Sequence, residues 1–338
     1  MASAPFLGRT IAAYGFEYVA VGHDLPEAVT TDPIANEVAA LTGRRALSVA
    51  KSLHDFAQWW EPDVVLRDSV EFGSYAVAER LSIPHVSAPW CGHTTLRSRS
   101  TALYSGIEAI RAAVGLPKPF DWSGLFRFHH FEAMPQSFFP KSELLPTTTR
   151  YIGQKNPVGP GETECDWFSD LPFPRSVLIT FGTVTTPIKL LLRLYRALRG
   201  FQCNLIFSVG GAAAQMSDRR VPSNVVFRQS VPQSWLIPRC EFVICHGGIN
   251  TVRESIRENV PLLLAPQFND QFFVAKRCSE LGIGITLPES VQVREIRDLF
   301  EHHRRDSTLS ESVNSFREEM LSLDGPTSVA EIIEETRR

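Results

Sequence analysis

The densest run of chemically useful residues is Cys245-His246-Gly247-Gly248-Ile249-Asn250-Thr251-Val252-Arg253-Glu254, where an apolar run gives way to a helical pattern. Paired glycines at such a junction let a ligand approach the backbone with no Cβ in the way. The helix start that follows offers free N–H groups and a partial positive charge, a setting that suits phosphate. His246 can donate to a phosphate oxygen, and Asn250 and Thr251 add polar groups in the first turn. Glu254 lies one turn beyond Asn250 on the same face, where its carboxylate can accept from sugar hydroxyls. A lone Gly-Gly would be no more than a turn, with Asn or Thr capping the helix. Here a second polar turn follows closely, Pro266-Gln267-Phe268-Asn269-Asp270-Gln271, again between an apolar run and a helix. In an open α/β sheet both turns fall on one edge, the edge where ligands bind.

The elements that must position these turns alternate regularly through the second half. Apolar runs predict strands at 176–181, 204–209, 224–227, 241–245, 261–265 and 283–287. Helical spacing predicts helices at 188–199, 250–258, 271–281, 291–305 and 309–322, and a last one from Ser328. Continuous apolar strands between helices indicate a parallel sheet covered on both faces. The first half repeats the rhythm less cleanly: strands at 16–21, 63–68 and 85–88, with helices over 33–60 and 70–81. Gln154 to Glu162 is rich in Pro and Gly and reads as a linker. The expected organisation is a first domain over 1–155, a linker over 156–175, a second domain over 176–325 and a terminal helix over 326–338.

Composition narrows the partners. The 338 residues are 43% hydrophobic and 21% charged, with a formal net charge of −3. That is the balance of a globular protein, and the absence of a Lys/Arg-rich block argues against nucleic acid or an anionic membrane as partner. The six cysteines form no CxxC pair and several sit in apolar runs, so they read as small buried hydrophobes in a reducing compartment. No signal-peptide pattern opens the chain and no apolar run is long enough to span a bilayer, which predicts a cytoplasmic protein.

From Val231-Pro232-Gln233 to Asp270-Gln271 the chain resembles the donor-site signature of family 1 glycosyltransferases, nucleotide-sugar-dependent enzymes of GT-B fold. His246, Gly248, Asn250, Thr251, Glu254, Pro261, Asp270 and Gln271 fall at the family's positions without a gap. The loop from Phe181 through Gly182-Thr183 to Thr186 is similar to the family's loop after the first strand of the C-terminal domain. The likeness continues through 16–90 and covers most of the chain. The fold it implies is α/β, with two Rossmann-like parallel-sheet domains facing across a cleft.

The resemblance also implies roles. His246, Asn250 and Thr251 would hold the diphosphate, helped by Gly182, Thr183, Gly247 and Gly248. Glu254 would bind the ribose hydroxyls, and Asp270 with Gln271 the hydroxyls of the transferred sugar. Val231 and Gln233 would meet the uracil or thymine edge through backbone groups. Plant members place a Trp three residues before that Gln; here Ser230 stands there, and Trp235 is out of register. The donor would be a UDP- or dTDP-sugar and the acceptor a small, partly apolar alcohol. With no DxD triplet and no other metal-ligand spacing, neither metal nor cofactor is expected, and a helix N-terminus with His246 would neutralise the leaving diphosphate. His129-His130 and His302-His303 are expected to be solvated, without partner ligands.

One part of the family's chemistry is expected to be missing. The general base there is a His on the loop after the first strand, and Ala4–Tyr14 aligns with the family's second helix. The N-terminal domain is therefore expected to be incomplete, lacking about one βαβ unit upstream of Met1, with open strand edges as the consequence. Truncation or repair by homo-oligomerisation would answer that cost. Asp68 matches the acid that orients the His, or is simply a strand-end turn residue. His93 falls where the acceptor loop would be, around 90–135, or caps the helix that follows. Two readings therefore stand: an inverting hexosyltransferase, and a catalytically silent nucleotide-sugar-binding or accessory protein. A sugar-nucleotide epimerase fits Asp270-Gln271 poorly, and no GxGxxG supports a dehydrogenase.

Overall fold

In the computed structural model the described residues are 1–22, 33–88, 93–143, 145–153, 163–182, 187–212 and 221–337. They divide into two compact units, Met1–Gln154 with Asp324–Arg338, and Lys155–Leu323.

The first unit runs β1 (Ala2–Ser3), α1 (Gly8–Ala13), β2 (Val19–Ala20), α2 (Pro33–Thr42), α3 (Arg44–Trp60), β3 (Val65–Asp68), α4 (Phe72–Leu81), β4 (His85–Ala88), α5 (His93–Ala113), β5 (His129–Glu132) and β6 (Thr149–Tyr151). β1 and β2 pair as a parallel two-stranded sheet, and β3-β4-β5-β6 form a separate parallel one. Glu71 starts α4 by accepting from the backbone N–H groups of Gly73 and Ser74. Helices α3, α4 and α5 pack around Ala50, Phe72, Tyr75, Leu103, Ile107 and Ile110. β3 is an edge strand, and Leu66 on it is 55% exposed.

Several expectations are corrected here. The region around 90–135, expected to carry the acceptor loops, contains the 21-residue helix α5 and the strand β5. The signal for α5 was present: Leu103, Ile107, Ile110 and Val114 recur at helical spacing and are buried. A polar first turn masked it. The strands β5 and β6 are short and polar, and periodicity alone does not reveal them. His130 is not solvated: it is fully buried on β5. Burial is tolerated because both ring nitrogens are satisfied, Nδ1 with Ser87 Oγ at 2.6 Å and Nε2 with Glu132 Oε1 at 3.0 Å. Glu132 is fully buried too, and burial, then the charge of Glu143, pushes its carboxyl up to about 8. Burial, then Arg67, pushes His130 down to about 3. Both shifts favour the neutral forms of the pair.

The second unit runs β7 (Ser176–Thr180), α6 (Ile188–Leu198), β8 (Asn204–Ser208), β9 (Val225–Arg228), α7 (Gln233–Leu236), β10 (Cys240–Cys245), α8 (Ile249–Arg257), β11 (Leu262–Leu264), α9 (Gln271–Glu280), β12 (Gly284–Thr286), α10 (Val293–His303) and α11 (Ser307–Leu321). Six parallel strands lie in the order β12-β11-β10-β7-β8-β9. Every residue of β7 and β11 is buried, as the continuous apolar runs require. Gln292 and Glu295 form a capping box at the start of α10. The five described cysteines are free, and Cys203, Cys240, Cys245 and Cys278 are buried. The terminal helix α12 (Pro326–Thr336) clusters with the first unit, where Val329, Ile332 and Ile333 pack against Val86, Phe131 and Ile152. No helix among the described residues is long and apolar enough to cross a membrane.

Candidate functional site

From β7 the sheet of the second unit grows outward through β8 to β9, and then from β10 through β11 to β12 on the other side. The direction reverses between β7 and β10, and the crevice at the carboxyl ends of two such strands is where open α/β sheets take ligands. Thr180 and Cys245, the last residues of β7 and β10, are partners across that boundary. The next residues on each side are Phe181-Gly182 and His246-Gly247-Gly248.

These residues form one cradle around the imidazole of His246. A Cβ on Gly182 would stand 3.1 Å from His246 Cε1, and one on Gly248 only 2.6 Å from Nε2. Gly247 has φ +85° and turns its Cα toward the Gln271 carbonyl oxygen, 3.1 Å from where a Cβ would be. The glycines thus make room for the histidine as well as for a ligand. Burial lowers the His246 pKa, opposed by the Thr180 backbone, so the ring is neutral at neutral pH. Its Nδ1 is shielded from solvent and makes no hydrogen bond of ordinary geometry. Helix α8 starts beside it with Gly248 as N-cap and no capping side chain. The N–H groups of its first turn therefore remain available to an anion.

A second set of contacts joins α7 to α8. Thr251 Oγ1 donates to Gln233 Oε1 at 3.4 Å, and Ser234 Oγ donates to Glu254 Oε1 at 3.0 Å. Val231, Gln233, Thr251 and Glu254 are all half-buried, whereas Asn250 is exposed in the first turn. Ser234, which holds the Glu254 carboxylate, was not singled out from the sequence. Its only signal there is its place beside Gln233.

Gln271 also has a structural task. It is 4% exposed, and its Oε1 accepts from the backbone N–H groups of Gln267 at 2.9 Å and Phe268 at 3.2 Å. The carboxamide oxygen thus fastens the 266–270 turn, which leaves the amide nitrogen as the group that can face a ligand. Asp270 is half-buried on the same turn. Pro266 and Gln267 also line a cavity of about 430 Å³ with Ile188, Arg193, Leu287 and Glu289. Asp68 lies in the first unit, exposed, and its Oδ1 accepts from the Val70 N–H at 2.9 Å, the geometry of a strand-end turn. His93 starts α5, but its side chain falls outside the described residues, as does Thr183.

Known proteins resemble the chain in sequence and in fold. The family profile for the C-terminal domain of erythromycin biosynthesis protein CIII-like proteins matches residues 197–336. NDP-glycosyltransferase YjiC of Bacillus subtilis (strain 168) is 24% identical over 303 residues, 86% of this chain and 77% of that protein. The structure of the glycotransferase of kitacinnamycin superposes with a TM-score of 0.83 at 20% identity, covering 100% of this chain and 90% of that one. That of spinosyn rhamnosyltransferase SpnG complexed with thymidine diphosphate gives 0.80 at 21% identity, covering 98% and 91%. In sequence the chain is similar to nucleotide-sugar glycosyltransferases, and its fold is that of the GT-B glycosyltransferase structures.

Proposed function

We propose that this protein is an inverting glycosyltransferase that moves a hexose from a UDP- or dTDP-sugar to a hydroxyl of a small, partly apolar acceptor, without a metal. The observation that carries the reading is the cradle of Gly182, His246, Gly247 and Gly248 at the sheet's switch point, beside the uncapped start of α8. Diphosphate oxygens fit the first-turn N–H groups, and His246 Nε2 donates to one of them. Glu254, steadied by Ser234, accepts from the ribose hydroxyls. Gln233 and Val231 stand at the base, and Asp270 with the Gln271 amide faces the sugar. As the C1–O bond to the diphosphate breaks, negative charge grows on the leaving group. The helix terminus and His246 stabilise it there without moving. The acceptor oxygen attacks C1 from the opposite face, and its proton passes to a base that the donor-site residues do not supply. The thymidine diphosphate in the SpnG structure supports a nucleoside diphosphate as the common ligand.

A second reading, binding without transfer, is favoured by one observation. Among the described residues, no histidine hydrogen-bonds Asp68, whose carboxylate serves a local turn. Thermal unfolding with UDP, dTDP and an AMP control tests the common part. At about 100 times its dissociation constant, a nucleoside diphosphate should add roughly 2.7 kcal/mol of stability. His246→Ala should remove most of that gain, and no gain in the parent protein would sink both readings. Release of dTDP from dTDP-glucose that depends on an added alcohol would then select the transferase, and tight binding without release the silent protein.

A further inference from the structure

The corner between α10 and α11 carries chemistry that the donor site does not use. His302 and His303 end α10, and Asp306 caps α11. Each offers one ligand atom, and these three atoms lie within 4.8 Å of one another. The expectation that these histidines have no partner ligand is therefore corrected, because the third ligand comes from the next helix cap. His303 Nδ1 stands 3.4 Å from Asp306 Oδ2. A charge-assisted hydrogen bond would be about 2.8 Å, and Nδ1, though shielded from solvent, has no hydrogen bond of ordinary geometry. Two ligands of a tetrahedral ion with bonds of about 2.0–2.1 Å stand about 3.3 Å apart. The spacing is that of neighbours in a coordination shell. Asp306 Oδ1 meanwhile accepts from the Thr308 N–H at 2.9 Å and its hydroxyl at 2.6 Å, which fixes the carboxylate with Oδ2 turned to His303. The exposed His302 closes the remaining distance by side-chain rotation, its ring already edge-on to that of His303 at 4.7 Å between centroids.

Charge at the corner favours a cation. The negative end of the α10 dipole is offset by the positive start of α11, so the attraction for a cation comes from the side chains. A surface pocket of about 500 Å³ beside it is lined by Asp298, Glu301, His302, Arg305 and Asp306. Arg305 pairs with Glu301 at 3.2 Å, and Arg304 with Glu241 at 3.0 Å, so both guanidinium groups are engaged. Two imidazoles and one carboxylate suit zinc and its late transition-metal neighbours, while magnesium and calcium prefer oxygen ligands. We propose that His302, His303 and Asp306 form a site for a divalent cation of the zinc class, tying α10 to α11. The bond from Arg304 to Glu241, near the start of β10, sets this corner at the amino edge of the sheet. His246 stands at the carboxyl edge, so the ion would fasten the fold and take no part in donor binding.

Calorimetric titration of tag-free, chelator-treated protein with Zn²⁺ tests this. One equivalent should bind, Zn²⁺ should raise the thermal midpoint, and Mg²⁺ should not compete. His303→Gln and Asp306→Asn should each weaken Zn²⁺ binding tenfold or more; Asn keeps the helix cap, so the second variant retains the fold. Stabilisation by dTDP should be unchanged in both variants, which separates this outcome from the fate of the donor site. Absence of Zn²⁺ binding overturns the proposal, as does binding that survives both substitutions, for then the ion is held elsewhere.

Discussion

His246 depends on the two glycines that flank its ring, and this can be tested one atom at a time. Gly248→Ala places a methyl 2.6 Å from Nε2, so the imidazole must move. We expect dTDP affinity to fall at least tenfold by calorimetry, with a smaller effect on the thermal midpoint than on binding. Ser234→Ala removes one hydrogen bond to Glu254, worth about 1 kcal/mol, and should weaken nucleotide binding several-fold while the AMP control stays unchanged. pH adds a third measurement. His246 is neutral at neutral pH because burial lowers its pKa. Protonation on acidification adds a positive charge at the diphosphate, so dTDP affinity should rise only as pH falls below 6.5. In His246→Gln that rise should vanish.

Among the elements, β5 is the one whose polar interior has a measurable consequence. Glu132 keeps its proton up to about 8, whereas an ordinary Glu loses it near 4.5. The folded state then holds a proton the unfolded chain has lost, so stability falls as pH rises from about 4.5 through about 8. His130, pushed down to about 3 from 6.5, acts in the opposite sense, and its contribution is lost as pH falls from 6.5 through 3. The two slopes oppose each other between 4.5 and 6.5, and Glu132 alone governs the range above. Chemical denaturation should show the first unit losing stability from pH 6.5 to 8, and Glu132→Gln should flatten that loss. An unchanged slope in the variant would show that another group is responsible.

For the whole molecule, α12 is the informative segment. It follows the second unit in sequence yet packs on the first, with Ile152 bridging Asp324 and the Gly153 N–H donating to the Asp324 carbonyl at 2.6 Å. Deleting residues 326–338 uncovers Val86, Phe131 and Ile152 and loses the partial burial of Val329, Ile332 and Ile333, a cost on the order of 3 kcal/mol. The exposed pair of Arg337 and Asp63 adds little. Hydrogen exchange should quicken in β4 and β5 but not in β7 or β10, and dTDP should still stabilise the second unit. Faster exchange spread evenly through both units would contradict this division.

The sequence alone determined the second unit in detail. Its central strands are mostly apolar because a parallel sheet is buried on both faces, and glycines, Asn and Thr mark the strand-to-helix turns, so most elements of 176–322 could be read from the sequence. The residues proposed for the donor site, from His246 to Gln271, stood out because polar groups and glycines cluster at strand-to-helix turns there. What a side chain does once placed was left to the tertiary structure. That the Gln271 oxygen meets two backbone N–H groups follows only from the folded turn that brings them to it. Ser234 becomes Glu254's partner through the packing of α7 on α8. His130 looked solvated because its two partners lie on β4 and further along β5. His302 and His303 gain Asp306 only at a helix corner. Periodicity records which face of an element is buried, whereas hydrogen bonds and ligand sets join atoms distant in sequence, and the fold alone sets those distances.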